Sequence, residues 1–308
     1  ETGLTVSIVL YNEEKNMESC LQALSKEIDS VQENINVLLI DNNSTDASIK
    51  KLQGFLEKYK NTRLIKRKSN NLGEARQEAL ENTKTSHLVF LDADCLVQEG
   101  WLSALLKTID DWSDDVGACG GVSLYEKERP WHFFAESLSQ LFPWGRGKGE
   151  KKQVSHMPTN NLIIKTSLAL EVGGFDSFFD RVGEDLDFSI RLNKKYKIIF
   201  SPNFQVHHKL PLKYNDWLRK MSFYGRAQSF VFLKNGGGLK LEKFFPLFFS
   251  ILCSYFLLTF PIQSQVMTII VMFIPRLRFF ALSFLFYGFG ELIGALIYPF
   301  KKAKVAHK

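Results

Sequence analysis

Apolar residues in the first two thirds of the chain come in short, nearly unbroken runs. Between the runs lie stretches whose apolar positions recur every three or four residues. Residues 4–12 (LTVSIVLYN), 35–41 (INVLLID), 62–68 (TRLIKRK) and 87–92 (HLVFLD) read as strands. Residues 13–28, 47–59 and 73–83 read as helices, the first with Met17, Leu21 and Leu24 at helical spacing. Residues 99–122 continue as helix and strand, 160–176 as strand, short helix and Gly-Gly turn, and 183–202 as a helix opening on acidic residues, then a strand. Strands that are apolar throughout and alternate with helices predict a doubly wound α/β sheet buried on both faces. Ligands of such sheets collect at the carboxyl ends of the strands. Asp41, Asp92 and Asp94 all fall at predicted strand ends.

The pattern changes after residue 210. Residues 211–243 read as an interfacial amphipathic region, with Trp217, Met221 and Tyr224 directed at a lipid boundary and Arg219 and Arg226 on its polar edge. Residues 244–262 and 279–300 are apolar over the ~20 residues needed to cross hydrocarbon. Lys240 and Lys243 before the first, and Lys301, Lys302 and Lys304 after the second, predict a transmembrane hairpin with both ends cytoplasmic. Residues 301–308 form a basic tail.

Charge sharpens this division. The net charge of +6 resolves into −6 over residues 1–196 and +12 over residues 197–308. The basic part is also the apolar part, which favours an anionic membrane surface over nucleic acid. Aromatic residues make up 13% of the chain and include 27 phenylalanines, in keeping with lipid contact. Residues 130–144 (PWHFFAESLSQLFPW) fit an interfacial segment or a packed loop. Cys20, Cys95, Cys119 and Cys253 show no pairing or metal-site spacing, so a reducing compartment is expected. Residues 1–11 lack the basic start and apolar core of an export signal.

Asp92-Ala93-Asp94 at a strand end brings two like charges together, which each carboxylate tolerates best beside a cation. A hard divalent ion shared with a diphosphate meets that need, although acidic pairs also occur as solvated turns. The Asp41 carboxylate can accept from a nucleobase N–H, and Asn42, Asn43 and Ser44 after it can cap the next helix. Gly73 opens a helix whose first N–H groups can meet an anion. Glu184 and Asp185 open another, where the helix dipole alone favours acidic residues.

Taken together, VSIVLYNEEKNMESCLQAL, VLLIDNNSTDAS, NNLGEARQEAL, VFLDADC, NNLIIKTSLALEVGGFD and GEDLDFSIRL run in one order over residues 4–210. In this the chain resembles the family-2 inverting glycosyltransferases of GT-A fold, which use nucleotide-activated sugars. The resemblance implies a Rossmann-like, doubly wound mixed sheet over residues 1–210. It implies that Asp41 binds the base, most often uracil. Asp92 lies near the ribose or diphosphate, with Asn43, Gly73, Arg76 and Ala93 also on the nucleotide sugar. Asp94 coordinates Mn²⁺ or Mg²⁺, and Asp185 is the catalytic base with Glu184 beside it. His207 and His208 both qualify as the histidine ligand, and imidazole suits Mn²⁺ better than Mg²⁺. Residues 119–123 and 158–164 are the expected lining of the sugar pocket. Processive relatives carry Gln-x-x-Arg-Trp after the base; residues 215–230 contain no such motif, which favours transfer of one or a few sugars. The reading is a membrane-held, metal-dependent hexosyl- or N-acetylhexosaminyltransferase using a UDP-sugar and a lipid-linked glycan acceptor at the cytoplasmic face. A lipid phosphate acceptor needs no base, so Glu184-Asp185 favours a hydroxyl acceptor. A silent donor-binding scaffold has no evident need for the carboxylates.

Overall fold

A computed structural model describes residues 3–126, 128, 129, 132, 149–236 and 275–306. The expected span at 244–262 and, apart from His132, the aromatic stretch at 130–144 lie outside them. The chain divides into two units: Glu1–Glu126 with Leu138–Asp180 and Glu184–Lys209, and Lys127–Ser137 with Arg181–Gly183 and Leu210–Lys308.

The first unit is built on one mixed sheet. Strands β1 (Leu4–Leu10), β2 (Asn36–Asp41), β3 (Thr62–Lys66) and β4 (His87–Asp92) are joined by helices α1 (Met17–Ser30), α2 (Gln53–Lys58) and α3 (Leu72–Glu81). They pair in parallel in the order β3-β2-β1-β4. Then follow β5 (Cys95–Val97), α4 (Trp101–Asp110), β6 (Val116–Tyr125), β7 (Lys152–Val154), β8 (Asn161–Lys165), α5 (Thr166–Glu171), α6 (Glu184–Leu192) and β9 (Lys197–His208). Here the sheet continues as β8-β6-β9-β5, with β8 antiparallel to both β4 and β6. Strands β5, β7 and the carboxyl half of β9 were not expected; β5 and β7 are three residues each, too short for periodicity to register.

Both faces of the central strands β1, β2, β4 and β8 are dry, as their unbroken apolar runs require. Val89 and Leu91 of β4 pack with Met17 and Leu24 of α1 and Trp101 of α4. Leu88 and Phe90 pack on the other side with Ala75 and Leu80 of α3 and Phe188 of α6. Each such side chain contributes roughly 1.5–3 kcal/mol through burial. One buried carboxylate has a plain structural role: Glu27 accepts from the Gly100 and Leu102 amides at 3.1 and 2.9 Å and caps the start of α4.

The second unit pairs α7 (Tyr214–Lys234) with α8 (Pro275–Ala306). Glycines let the backbones meet: Gly225 lies against the Tyr287 carbonyl and Gly290 against that of Ser222. Trp217 Nε1 donates to Ser283 Oγ at 2.9 Å. Trp217 and Met221, expected to dip into lipid, are instead buried within this unit, because α7 found an apolar protein partner. Among the described residues no helix is long and apolar enough to cross a membrane. The expected span at 279–300 lies inside α8, which buries Glu291 within the unit rather than being apolar all round. Phe286, Phe289, Leu292, Ile293, Leu296 and Phe300 of α8 remain exposed.

Candidate active site

The carboxyl end of β4 gathers the acidic residues. Strand β4 stops at Asp92, a turn carries Ala93 and Asp94, and β5 then pairs antiparallel with β9, Cys95 opposite His208 and Leu96 opposite His207. Strand alternation therefore sends the two histidines to opposite faces. His208 Nε2 lies 3.2 Å from Asp94 Oδ2. Asp94, Cys95 and His208 form a cluster in which one potential metal-ligand atom from each lies within 4.8 Å of the others. His207 is not part of it; of the two histidines, His208 is the one beside Asp94. A carboxylate and an imidazole are donors that suit Mn²⁺, so these residues fit the implied ion.

A second cluster centres on Arg76 of α3, which is 4% exposed. Its Nη2 donates to Asp92 Oδ1 at 3.0 Å, and its Nε lies 2.9 Å from Glu184 Oε1. Nε is misaligned for a hydrogen bond despite that distance, and Glu184 Oε2 has no hydrogen-bond partner among the described residues. Burial, reinforced by neighbouring Asp185, pushes the Glu184 carboxyl up to about 8 against the pull of Arg76. Burial likewise raises Asp185, opposed by Arg76 and by the Leu186 N–H that its Oδ1 accepts at 2.7 Å. Arg191 anchors α6: it pairs with Asp187 at 2.8 Å and donates to the Val172 and Gly174 carbonyls at 2.7 and 2.6 Å. Asp185 is thereby fixed relative to the Gly-Gly turn.

Asp41 is buried at the end of β2, where its Oδ1 accepts from the Ser44 amide at 3.1 Å. Asn43 is exposed and left-handed (φ 70°), a conformation asparagine tolerates, and shapes this turn. Two of the expected positions, Gly73 and Ala93, are enclosed by the protein itself. The Leu72 and Gly73 amides donate to the Asp180 and Phe179 carbonyls at 2.8 and 2.9 Å, and Glu74 N donates to Asn71 Oδ1. The start of α3 is thus engaged by protein rather than open to an anion. Glycine is required there because a Cβ would strike the Asp176 and Phe179 carbonyl oxygens. Ala93 is 3% exposed and its methyl packs in the apolar core, so it offers no side-chain contact to a ligand. Of the expected sugar-pocket lining, Cys119, Val122, Leu162, Ile163 and Ile164 lie within the apolar core. The polar lining residues Ser123 and Asn160 are hydrogen-bonded to each other, and Asn160 also reaches His208. Lys209 also went unnoticed: its amide donates to the Asp94 carbonyl and its Nζ to Ser19 Oγ, both at 2.9 Å. Its place beside the histidines was the available signal.

A parallel β3-β2-β1-β4 half-sheet ending in acidic residues, closed by an antiparallel β8, defines a GT-A-like α/β fold. Solved structures share it. A mannosyltransferase from Pyrobaculum calidifontis, crystallised with GDP-Man and Mn²⁺, superposes with a TM-score of 0.65 at 17% identity, covering 95% of this chain and 86% of that one. TarS 1–349 of S. aureus in complex with UDP gives 0.55 at 17% identity, covering 94% and 90%. Residues 5–170 match the family described as Glycosyl transferase family 2, and the chain belongs to it. The pre-mycofactocin glycosyltransferase of Mycobacterium tuberculosis is 30% identical over 155 residues, 49% of this chain and 33% of that protein, so the match spans a third of the relative's length. The N-acetylglucosaminyl-diphospho-decaprenol L-rhamnosyltransferase of the same species is 26% identical over 240 residues, 67% of this chain and 76% of its own.

Proposed function

We propose that this glycosyltransferase is a metal-dependent, inverting, non-processive enzyme. It moves a sugar from a UDP-sugar to a hydroxyl of a lipid-linked glycan at the cytoplasmic face of the cell membrane. The observation that carries the reading is the convergence of Asp94 with His208, and of Asp92 with Arg76 and Glu184, at one end of β4. The lipid-linked acceptor is supported by the rhamnosyltransferase relative, whose name contains a diphospho-decaprenol, and the uracil donor by the TarS complex with UDP.

Asp94 and His208 would hold Mn²⁺ or Mg²⁺, which when bound supplies positive charge to a leaving diphosphate. Asp41 accepts an N–H of the base. Asp185 takes the proton of the acceptor hydroxyl, and its burial raises its proton affinity towards the working pH. Arg76 holds Asp92 and Glu184 in fixed positions on either side of it. Single displacement with one base inverts the anomeric centre. Attachment to the membrane is supported by the exposed apolar residues of α8 next to Lys301 and Lys302, within a part of the chain that is strongly basic.

The test is a panel of nucleotide sugars offered to detergent-solubilised protein, with release of nucleoside diphosphate read in Mn²⁺ and in EDTA. Uridine donors should work only with the cation, and Asp185→Asn should abolish transfer while donor binding survives. Turnover in EDTA, or full activity in Asp185→Asn, defeats the mechanism; turnover of purine donors alone defeats the role given to Asp41.

A further inference from the structure

His208 is engaged at both ring nitrogens. Nε2 faces Asp94 Oδ2 at 3.2 Å, and Nδ1 lies 3.1 Å from the Asn160 amide nitrogen. Asn160 Oδ1 in turn accepts from Ser123 Oγ at 3.0 Å. His208, Asn160 and Ser123 are 7%, 5% and 1% exposed, so this chain runs through the protein interior. Each residue comes from a different strand region: Ser123 from β6, Asn160 from the residue before β8, and His208 from the end of β9.

A neutral imidazole carries one N–H. The Asp94 carboxylate only accepts, so a neutral ring bonded to it carries its proton on Nε2. Nδ1 then accepts from the Asn160 NH₂, and Asn160 Oδ1 accepts from the Ser123 hydroxyl. Every bond is satisfied. Ligation reverses the requirement: Nε2 must give its lone pair to the cation, so the proton has to sit on Nδ1 and needs an acceptor. Asn160 provides one by turning its amide, and its NH₂ then meets Ser123 Oγ. A hydroxyl both donates and accepts, so Ser123 serves either orientation. An apolar residue at position 160 would leave Nδ1–H buried and unpaired.

We propose that Ser123 and Asn160 form a tautomer-setting relay that prepares His208 to bind the divalent cation, with Asn160 as a positioning residue. The proposal rests on the metal reading above. Partners of metal-bound histidines typically change affinity by about 10–100-fold when removed.

The experiment measures Mn²⁺ binding to the full chain by EPR titration. Tautomer populations are read from ¹⁵N NMR of the His208 ring, without cation and with diamagnetic Mg²⁺. Asn160→Leu should weaken Mn²⁺ about 10-fold or more. Asn160→Asp, whose carboxylate can only accept, should keep or raise the affinity and put a proton on Nδ1 even without cation, leaving the ring doubly protonated between two carboxylates. His208→Ala sets the floor, and thermal melts show which variants are folded. Equal affinity in wild type and a folded Asn160→Leu overturns the relay while leaving the metal reading intact. So does an Asn160→Asp ring that carries no proton on Nδ1. A wild type that does not bind Mn²⁺ overturns both.

Discussion

Replacing Arg76 by methionine isolates the electrostatics beneath the candidate base. Methionine keeps most of the buried stem but removes the cation between Asp92 and Glu184. The cost depends on pH. Below about 8 the Glu184 carboxyl is largely neutral, so the variant mainly strands Asp92. Asp92 is 29% exposed and rehydrates in part, which reduces a charge-assisted hydrogen bond to about 1–2 kcal/mol. Above pH 8 the wild type ionises Glu184 against Arg76, whereas the variant has no counter-charge and must hold the proton. A carboxyl whose folded pKa is raised loses stability as pH climbs from the unfolded value to the folded one. In wild type that decline levels off near 8; in the variant it continues. Each further pH unit adds about 1.4 kcal/mol, so at pH 9 the total approaches the 3–5 kcal/mol expected for breaking a buried pair. Melts followed by circular dichroism should show a deficit of a few degrees at pH 6.5 and about 10 °C at pH 9. Adding Glu184→Gln should erase the increment at pH 9. A deficit that does not change between pH 6.5 and 9, or one that survives Glu184→Gln, refutes the reasoning.

Gly73→Ala should destabilise by about 1–3 kcal/mol or more in urea unfolding, since the new Cβ meets backbone carbonyls that cannot yield. Gly54→Ala in α2, with nothing within 4 Å of the new Cβ, should instead be neutral or stabilise by up to about 1 kcal/mol; equal losses at both sites would contradict the packing account. Replacing Phe289 and Leu296 by serine should lower co-flotation with anionic vesicles while leaving the melt unchanged, because both are exposed on α8; undiminished flotation would remove that face from membrane attachment. His207→Ala should leave Mn²⁺ affinity within about 2-fold of wild type, whereas His208→Ala should reduce it by 10-fold or more.

Much of the first unit was legible because its information is local. A strand dry on both faces must be apolar throughout, and a helix covering it must repeat every three to four residues. Periodicity therefore located β1 to β4 and α1 to α4 to within a few residues, together with the acidic residues at the strand ends. The order of motifs along residues 4–210 carried the fold and the family beyond what spacing alone supports. Composition marked residues after 210 as basic and apolar, but not whether their apolar faces meet lipid or protein. Trp217 and Met221 meet protein, because glycines in α7 and α8 allow close approach. Only tertiary structure decided which histidine faces Asp94, since that depends on the register of β9 against β5, set by pairing across more than 100 residues of chain. The same holds for Gly73, where a glycine suited to an anion is instead filled by the carbonyls of residues 176–180. It holds too for Arg76, whose two carboxylate partners lie 16 residues away in one case and 108 in the other. Sequence patterns report which side chains must leave water; which of them then meet is fixed by strand register and helix docking.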